Sequence, residues 1–243
     1  MKSLAFLSII IAAAFVFECA AGARETGTAG DTLHLKQTHY FLGDLDVKAS
    51  KNGVRIQSLG SWKFVLVSHA PEWTVTVFRK DDKSYFSEPF KQFSETGLVS
   101  QLLVGKKTEA KGAVAKPTNM KVGNERVMRA MNPFCLGEYV DGKNLVAPQV
   151  IAILYSSTRM PNYGGIALRW MQKKDGRDWM TGLKDSSMHV MLSTTSVDIE
   201  PGTPGLYDVP TGYKRAKDMR EILLSKESRA SSADADDLFE MGK

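Results

Sequence analysis

Short runs in which every second residue is large and apolar decide what this chain can fold into. In SWKFVLVSH, Trp62, Phe64 and Leu66 fall on one face of an extended chain, with Lys63, Val65 and Val67 on the other. In EWTVTVFRK, Trp73, Val75 and Val77 oppose Thr74, Thr76 and Phe78. Side chains alternate across a strand, so a period of two with unequal faces predicts antiparallel sheet. The same pattern runs through DVKASKNGVRIQSLG on either side of Lys51-Asn52-Gly53, and Asn-Gly is a strong hairpin signal. Pro71, which cannot donate to a ladder, is expected to start the Trp73 strand, and residues 80–83 to form a solvated turn before a return strand over 85–88.

After Glu88 the period lengthens. In PFKQFSETGLVSQLLVG, Phe90, Phe93, Leu98 and Leu102 or Leu103 are spaced as on a helix, with Pro89 suited to its first turn and Gly105 to its stop. This predicts one amphipathic helix, with a break at Gly97 as the alternative. KKTEAKGAVAKPTNMKVGNERVMRAM returns to strands and turns, and APQVIAILYSSTRMP predicts a second helix that Pro161 stops. GIALRWMQKKDGRDWMTGL reads as a hairpin about Lys174-Asp175-Gly176, and SSMHVMLSTTSVDIE as a further strand. A short terminal helix follows, with Ala216, Met219, Ile222 and Leu223 on one side. The class is therefore α+β, and no fixed-period repeat interrupts it.

The first residues, MKSLAFLSIIIAAAFVFECAAGAR, place Lys2 before an apolar run at 4–17 and small residues at 20–23, the order of a secretory signal peptide. That run is short for a bilayer span, so residues 1–23 are expected to be cleaved, after Ala21 or Ala23; the alternative is a retained anchor. Glu18 precedes Cys19, where lipoprotein processing needs a small side chain, which argues against lipidation. Cleavage would leave Cys135 alone, so stability would come from a core, for which about 220 residues in one domain, 24–224, suffice. Residues 225–243 are small, polar and charged, and are expected to be a disordered tail. The formal net charge of +5 is spread without a run of five or six like charges, and with an exported address this argues against a nucleic-acid partner. No transmembrane helix is expected in the mature chain.

Motifs for chemistry are missing. There is no G-x-S-x-G, H-E-x-x-H, C-x-x-C or G-x-G-x-x-G, and VGKKT at 104–108 lacks the upstream glycine of a phosphate loop because position 100 is Ser. His34 and His39, five apart in a strand, fall on opposite faces; His69 and His189 have no ligand spacing. Cys135 reads as a small buried hydrophobe, and the carboxylates as turn residues. No catalytic residue, metal or cofactor is expected. What stands out is apolar bulk: aromatics between Trp62 and Phe93, and methionines at 128, 131, 160, 171, 180, 188 and 191. They fit a core, or an adaptable cavity for acyl or aromatic ligands, since thioethers and flat rings accommodate varied shapes.

Read in order, VRIQS, WKFVLVSHAPEWTVTVFRKDDKSYFSEPF and its helix, MPNYGGIALRWMQKKDG, MLSTTSVD and GLYDVPTGYKRA resemble exported bacterial proteins of uncharacterised function related to the LolA/LolB-like lipoprotein-carrier superfamily. The resemblance covers most of residues 47–216, with Ala167 where such proteins often carry proline. It implies a strongly curved antiparallel sheet, a half-barrel, with helices across its concave side and acyl chains received between. On this chain the cavity candidates are Trp62, Phe64, Leu66, Trp73, Val75, Val77, Phe90 and Phe93. The expected function is a non-enzymatic, exported cell-envelope protein, periplasmic or extracellular, that binds or carries a lipid or other hydrophobic ligand. The rivals are an envelope protein-interaction module with a filled interior, working through its surface and tail, and an unrecognised hydrolase.

Overall fold

The computed structural model describes residues 30–98, 112–173, 176–177, 184–185 and 187–224. The expected signal peptide, the 104–108 segment and the polar tail lie outside them. Six strands follow one another as antiparallel neighbours: β1 (Asp31–His39), β2 (Gly43–Ala49), β3 (Gly53–Ser58), β4 (Phe64–His69), β5 (Val75–Arg79) and β6 (Ser84–Glu88). Helix α1 (Phe90–Thr96) comes next, then the meander β7 (Val114–Val122), β8 (Glu125–Asn132) and β9 (Cys135–Val140). Helix α2 (Pro148–Thr158) leads to β10 (Ile166–Lys173), the two-residue strands β11 (Gly176–Arg177) and β12 (Lys184–Asp185), and the long β13 (Met188–Pro201). β14 (Lys214–Arg215) and α3 (Met219–Leu223) end the described chain.

Because β13 is fourteen residues long, it can pair with β10 through its first part and with β1 along the rest. It thereby joins the two meanders into one open sheet of twelve described strands, ordered β14-β6-β5-β4-β3-β2-β1-β13-β10-β9-β8-β7. All the pairings are antiparallel except β14 with β6.

The period of two is realised as expected. Phe64, Leu66, Val75 and Val77 enter the main core with Leu33, Leu35, Val47 and Ile56, whereas Val65, Val67 and Phe78 form a separate cluster on the other face. That second cluster is covered by Val209 and Tyr213, whose ring meets Phe78 edge-on at 5.8 Å. The chain then adds β14 beside β6 and returns Met219, Ile222 and Leu223 to the main core. The C-terminal segment therefore clasps the β6 edge from both sides. Gly53 serves this clasp: a Cβ there would stand 2.6 Å from the Tyr207 ring, whose hydroxyl donates to Ser50 Oγ at 2.8 Å.

Four expectations need correction. Pro71 sits in a turn after a cis Ala70-Pro71 bond, and the strand begins only at Val75, because Trp73 holds a left-handed backbone (φ 53°). The first helix ends at Thr96 with Gly97 as its cap, which is the alternative of a break at Gly97, and Leu102, Leu103 and Gly105 lie outside the described residues. β10 takes β13 as its partner after the expected turn, with Lys173 beside Met188 and Trp170 beside Leu192, and the small β11/β12 pair stands between; Lys174 and Asp175 of that turn and residues 178–183 lie outside the described residues. Finally, the methionines do not form an interior: Met160 is buried, but Met131 and Met188 are exposed, on strand ends with no covering layer.

Candidate functional site

The eight apolar candidates come together. Phe64, Leu66, Val75, Val77 and Phe93 are wholly buried in the main core, and Trp62, Trp73 and Phe90 pack partly exposed against it. They do not form a single lip, because Trp62 precedes β4 and Trp73 follows it, which sets the two indoles at opposite ends of a strand about 20 Å long.

Each end is held by hydrogen bonds. At the first, Trp62 lies 5.1 Å from the Phe41 ring and its indole N–H donates to the Phe41 carbonyl at 3.0 Å. The Trp62 carbonyl accepts from Arg79 Nη1 at 2.8 Å, and the buried Arg79 also donates to Asp81 through Nε at 3.0 Å and through Nη2. Burial would raise the Asp81 carboxyl, but the hydrogen bonds and charge of Arg79 outweigh it and hold the group below its ordinary range. At the second end the Trp73 N–H donates to the His69 carbonyl at 2.9 Å.

Glu88 was not among the candidates, and it is the polar group of this site. It pairs across the sheet with Val75, so it shares the face of Val75 and Val77. Glu88 is only 5% exposed, and its Oε1 has no hydrogen-bond partner among the described residues. Burial pushes its carboxyl above the ordinary range, against a smaller pull from the Thr96 hydroxyl. The sequence did carry a signal: Glu88 is in phase with Phe86 two residues earlier, where alternation asks for an apolar side chain.

The cover over this face is locked helix to helix. The Ser156 hydroxyl donates to the Ser94 carbonyl at 3.3 Å, and Arg159 Nη2 donates to the carbonyls of Glu95 at 3.1 Å and Thr96 at 2.5 Å. The last turn of α1, whose carbonyls lack partners within the helix, is thus satisfied by α2. His39 completes the lock: Nε2 donates to the Thr158 carbonyl at 3.1 Å, while Nδ1 accepts from the Phe41 and Leu42 N–H groups at 3.2 and 3.1 Å. Burial lowers its pKa to about 4, so the ring is neutral.

Two hollows are lined by described residues other than the eight candidates. One of about 10 Å³, between Gln37, Leu154, Thr158, Met160 and Leu192, has room for about one water. A groove of about 530 Å³ runs along β7 and β8 between Val114, Lys116, Pro117, Met120, Arg129 and Met131.

The two histidines of β1 are engaged structurally. His34 is flanked by Glu200 Oε1 at 2.7 Å and Asp46 Oδ2 at 3.1 Å, and Lys48 reaches Glu200 at 3.2 Å. Burial would lower the His34 pKa, but the two carboxylates raise it overall. His34 and His39 thus have both ring nitrogens occupied, which leaves neither open to activate a nucleophile. Ser187 Oγ lies 3.0 Å from His189 Nε2 on an exposed strand end. Cys135 is buried and unbridged, and burial pushes its thiol up, opposite to what a reactive cysteine needs. Among the described residues no group of three or more His, Cys, Asp or Glu is placed to hold a metal ion, and no helix is long and apolar enough to cross a membrane. No family model matches this chain, and a search of curated proteins finds no match.

Proposed function

We propose that this chain is an exported, non-enzymatic protein of the cell envelope that binds or carries a lipid or another hydrophobic molecule against the apolar face of its sheet. One observation carries the reading. A buried carboxyl oxygen without a partner, on Glu88, stands on an apolar face whose margins are the partly exposed rings of Trp73, Phe90 and Trp62. Apolar sites with few polar groups are how proteins hold amphiphiles, and an orphaned buried acceptor calls for a donor. The ligand on this reading has an apolar body and a hydroxyl or amine that reaches Glu88.

The half-barrel with helices across its concave side belongs to the same proposal. It is supported by α2, which contacts both β3 and β10 although β2, β1 and β13 lie between them, and by one core cluster that includes side chains from α3 as well as Val122 and Val127 at the far end of the sheet. The resemblance to the lipoprotein carriers supports the envelope address, as does the signal-like beginning of the sequence.

The test is mass spectrometry of lipids extracted from protein purified out of an envelope fraction, with titration of tryptophan fluorescence by a long-chain alcohol or amine. A stoichiometric lipid, and a titration abolished by Trp73→Ala with Phe90→Ala, is the expected result. Protein that never carries or takes up an apolar molecule would sink the reading. The rival, an envelope interaction module with a filled interior, is favoured by a separate observation: Val114, Met131, Phe134 and Val190 are exposed on β7, β8, β13 and the β8–β9 turn, which carry none of the eight candidates.

A further inference from the structure

Five neighbouring strands finish at one end of the sheet: the starts of β7, β9 and β13 and the finishes of β8 and β10. The register places Val114 beside Met131, Asn132 beside Cys135, Gln172 beside Cys135 and Lys173 beside Met188. The main core and the Phe78 cluster do not include this end; a small cluster of Cys135, Met160, Trp170 and Leu192 reaches it and leaves the outermost side chains bare. Val114, Met131, Met188 and Val190 are exposed, and Phe134, in the turn between β8 and β9, is 66% exposed. Residues 187–190 are exposed on consecutive positions, so both faces of β13 meet solvent there. The patch continues to Tyr40, whose N–H donates to the Met191 carbonyl at 2.9 Å and whose ring is half exposed.

Cations outnumber carboxylates at this end: Glu138 stands between Arg129 and Arg169 on the neighbouring strands, and Lys116 and Lys173 lie nearer the strand ends. Residues 114–116, 129–136, 169–173 and 187–191 contain Lys116, Arg129, Arg169 and Lys173 and no Asp or Glu. Arg129 is held by Glu138 at 2.6 Å, but remains 44% exposed at its side chain. The groove along β7 and β8 opens between two of these cations and the side chains of Val114 and Met131.

We propose that this end of the sheet docks on the anionic surface of a lipid bilayer, with Phe134 and its apolar neighbours at the acyl boundary and the cations among the head groups. Contiguous exposed apolar side chains mark interaction surfaces, and apolar tips ringed by Lys and Arg are the composition that binds anionic lipid interfaces. Each cation near such a surface contributes about 1 kcal/mol, an attraction that salt screens. A second copy of this chain is the poorer occupant, because a two-fold contact sets the same patch against itself and brings like charges together. Docking is independent of whether the apolar face takes a ligand.

The experiment is flotation of the full-length mature chain with vesicles of phosphatidylcholine, alone or with one-third phosphatidylglycerol. Expected is at least fivefold more bound protein on the anionic vesicles, falling as salt rises to about 0.5 M. Phe134→Ser with Val190→Ser should reduce it fivefold or more, as should Lys116→Glu with Lys173→Glu. Ile199→Ser, at the far end of β13, should bind within twofold of the parent; circular dichroism checks that each variant is folded. The proposal falls if the parent floats with neither vesicle, if the Phe134 and Val190 variant floats undiminished, or if light scattering finds a dimer that those substitutions dissociate.

Discussion

Three titratable residues should shape the pH dependence of stability, His39 in one direction and His34 and Glu88 in the other. His39 binds no proton in the fold until about pH 4, whereas in the unfolded chain it protonates near 6.5. Between those values the unfolded state holds the extra proton, so the neutral ring's contribution is present above 6.5 and lost as pH falls. Urea unfolding should accordingly find the protein less stable at pH 5 than at pH 7 by about 2 kcal/mol from this group. His39→Gln should cost about 2–3 kcal/mol at pH 7, from hydrogen bonds shared by three backbone groups, and should shrink the pH 5 to pH 7 difference. An unchanged acid limb in the variant would show that another group sets it. His34 works the other way. Its raised pKa makes its contribution complete below 6.5 and lost as pH climbs through the folded value, so it opposes His39 on the acid side. Glu88 has a raised carboxyl pKa, so its ionisation opposes the fold as pH rises. Glu88→Gln should gain stability relative to the parent as pH rises above the ordinary carboxyl value of 4.5, and on the proposed function should also weaken binding of an amine-headed amphiphile. A stability difference independent of pH would mean that Glu88 ionises freely.

At the scale of elements, the junction of α1 and α2 depends on Gly97. Its φ of 63° with ψ 178° is a conformation open in practice only to glycine, and a Cβ would stand 2.3 Å from the Ser156 carbonyl oxygen. That oxygen is the acceptor for the Leu98 N–H at 3.2 Å, so it cannot retreat without breaking the lock. Gly97→Ala should cost at least about 3 kcal/mol, read as a shifted urea midpoint at unchanged slope; a loss below 1 kcal/mol would show that the helices separate easily. Elements of this kind were legible where a residue's partner is near in sequence. The alternation in 62–67 and 75–78 assigned each side chain to its face, and the Pro148 helix and Asn52-Gly53 hairpin were placed by local signals. Partners far along the chain were not legible. Gly53 looked like turn chemistry, yet its lack of a side chain admits Tyr207, and the partner of β10 is the distant β13, with Trp170 beside Leu192. For the site, alternation gathered Trp62, Phe64, Leu66, Trp73, Val75 and Val77 and helical spacing added Phe90 and Phe93, whereas Glu88 required knowing that Val75 is its cross-strand neighbour.

Across the whole molecule, burial is distributed unevenly along one continuous sheet. β4 and β5 are buried at nearly every position, with core on one face and the C-terminal clasp on the other, whereas β7 is exposed at almost every position. An exposed edge strand invites pairing with another chain, and β7 is guarded against it by Pro117, by a register shift between Pro117 and Lys121, and by Lys116 and Lys121. The opposite edge is occupied by β14, and α3 is packed against β5 and β6. Amides open locally where few apolar contacts hold the backbone, and globally where many do. Native-state hydrogen exchange should therefore rank the sheet: β3, β4 and β5 should exchange only through global unfolding, with a denaturant dependence matching the equilibrium slope, while β7 and β8 exchange earlier through local opening. Anionic vesicles should slow exchange at the 114–116 and 129–136 ends without affecting β4, because a bilayer adds the covering layer that those ends lack. Equal protection of β4 and β7 in the free protein would contradict this ordering and mean that the sheet's hydrogen bonds, rather than its buried side chains, set how it opens.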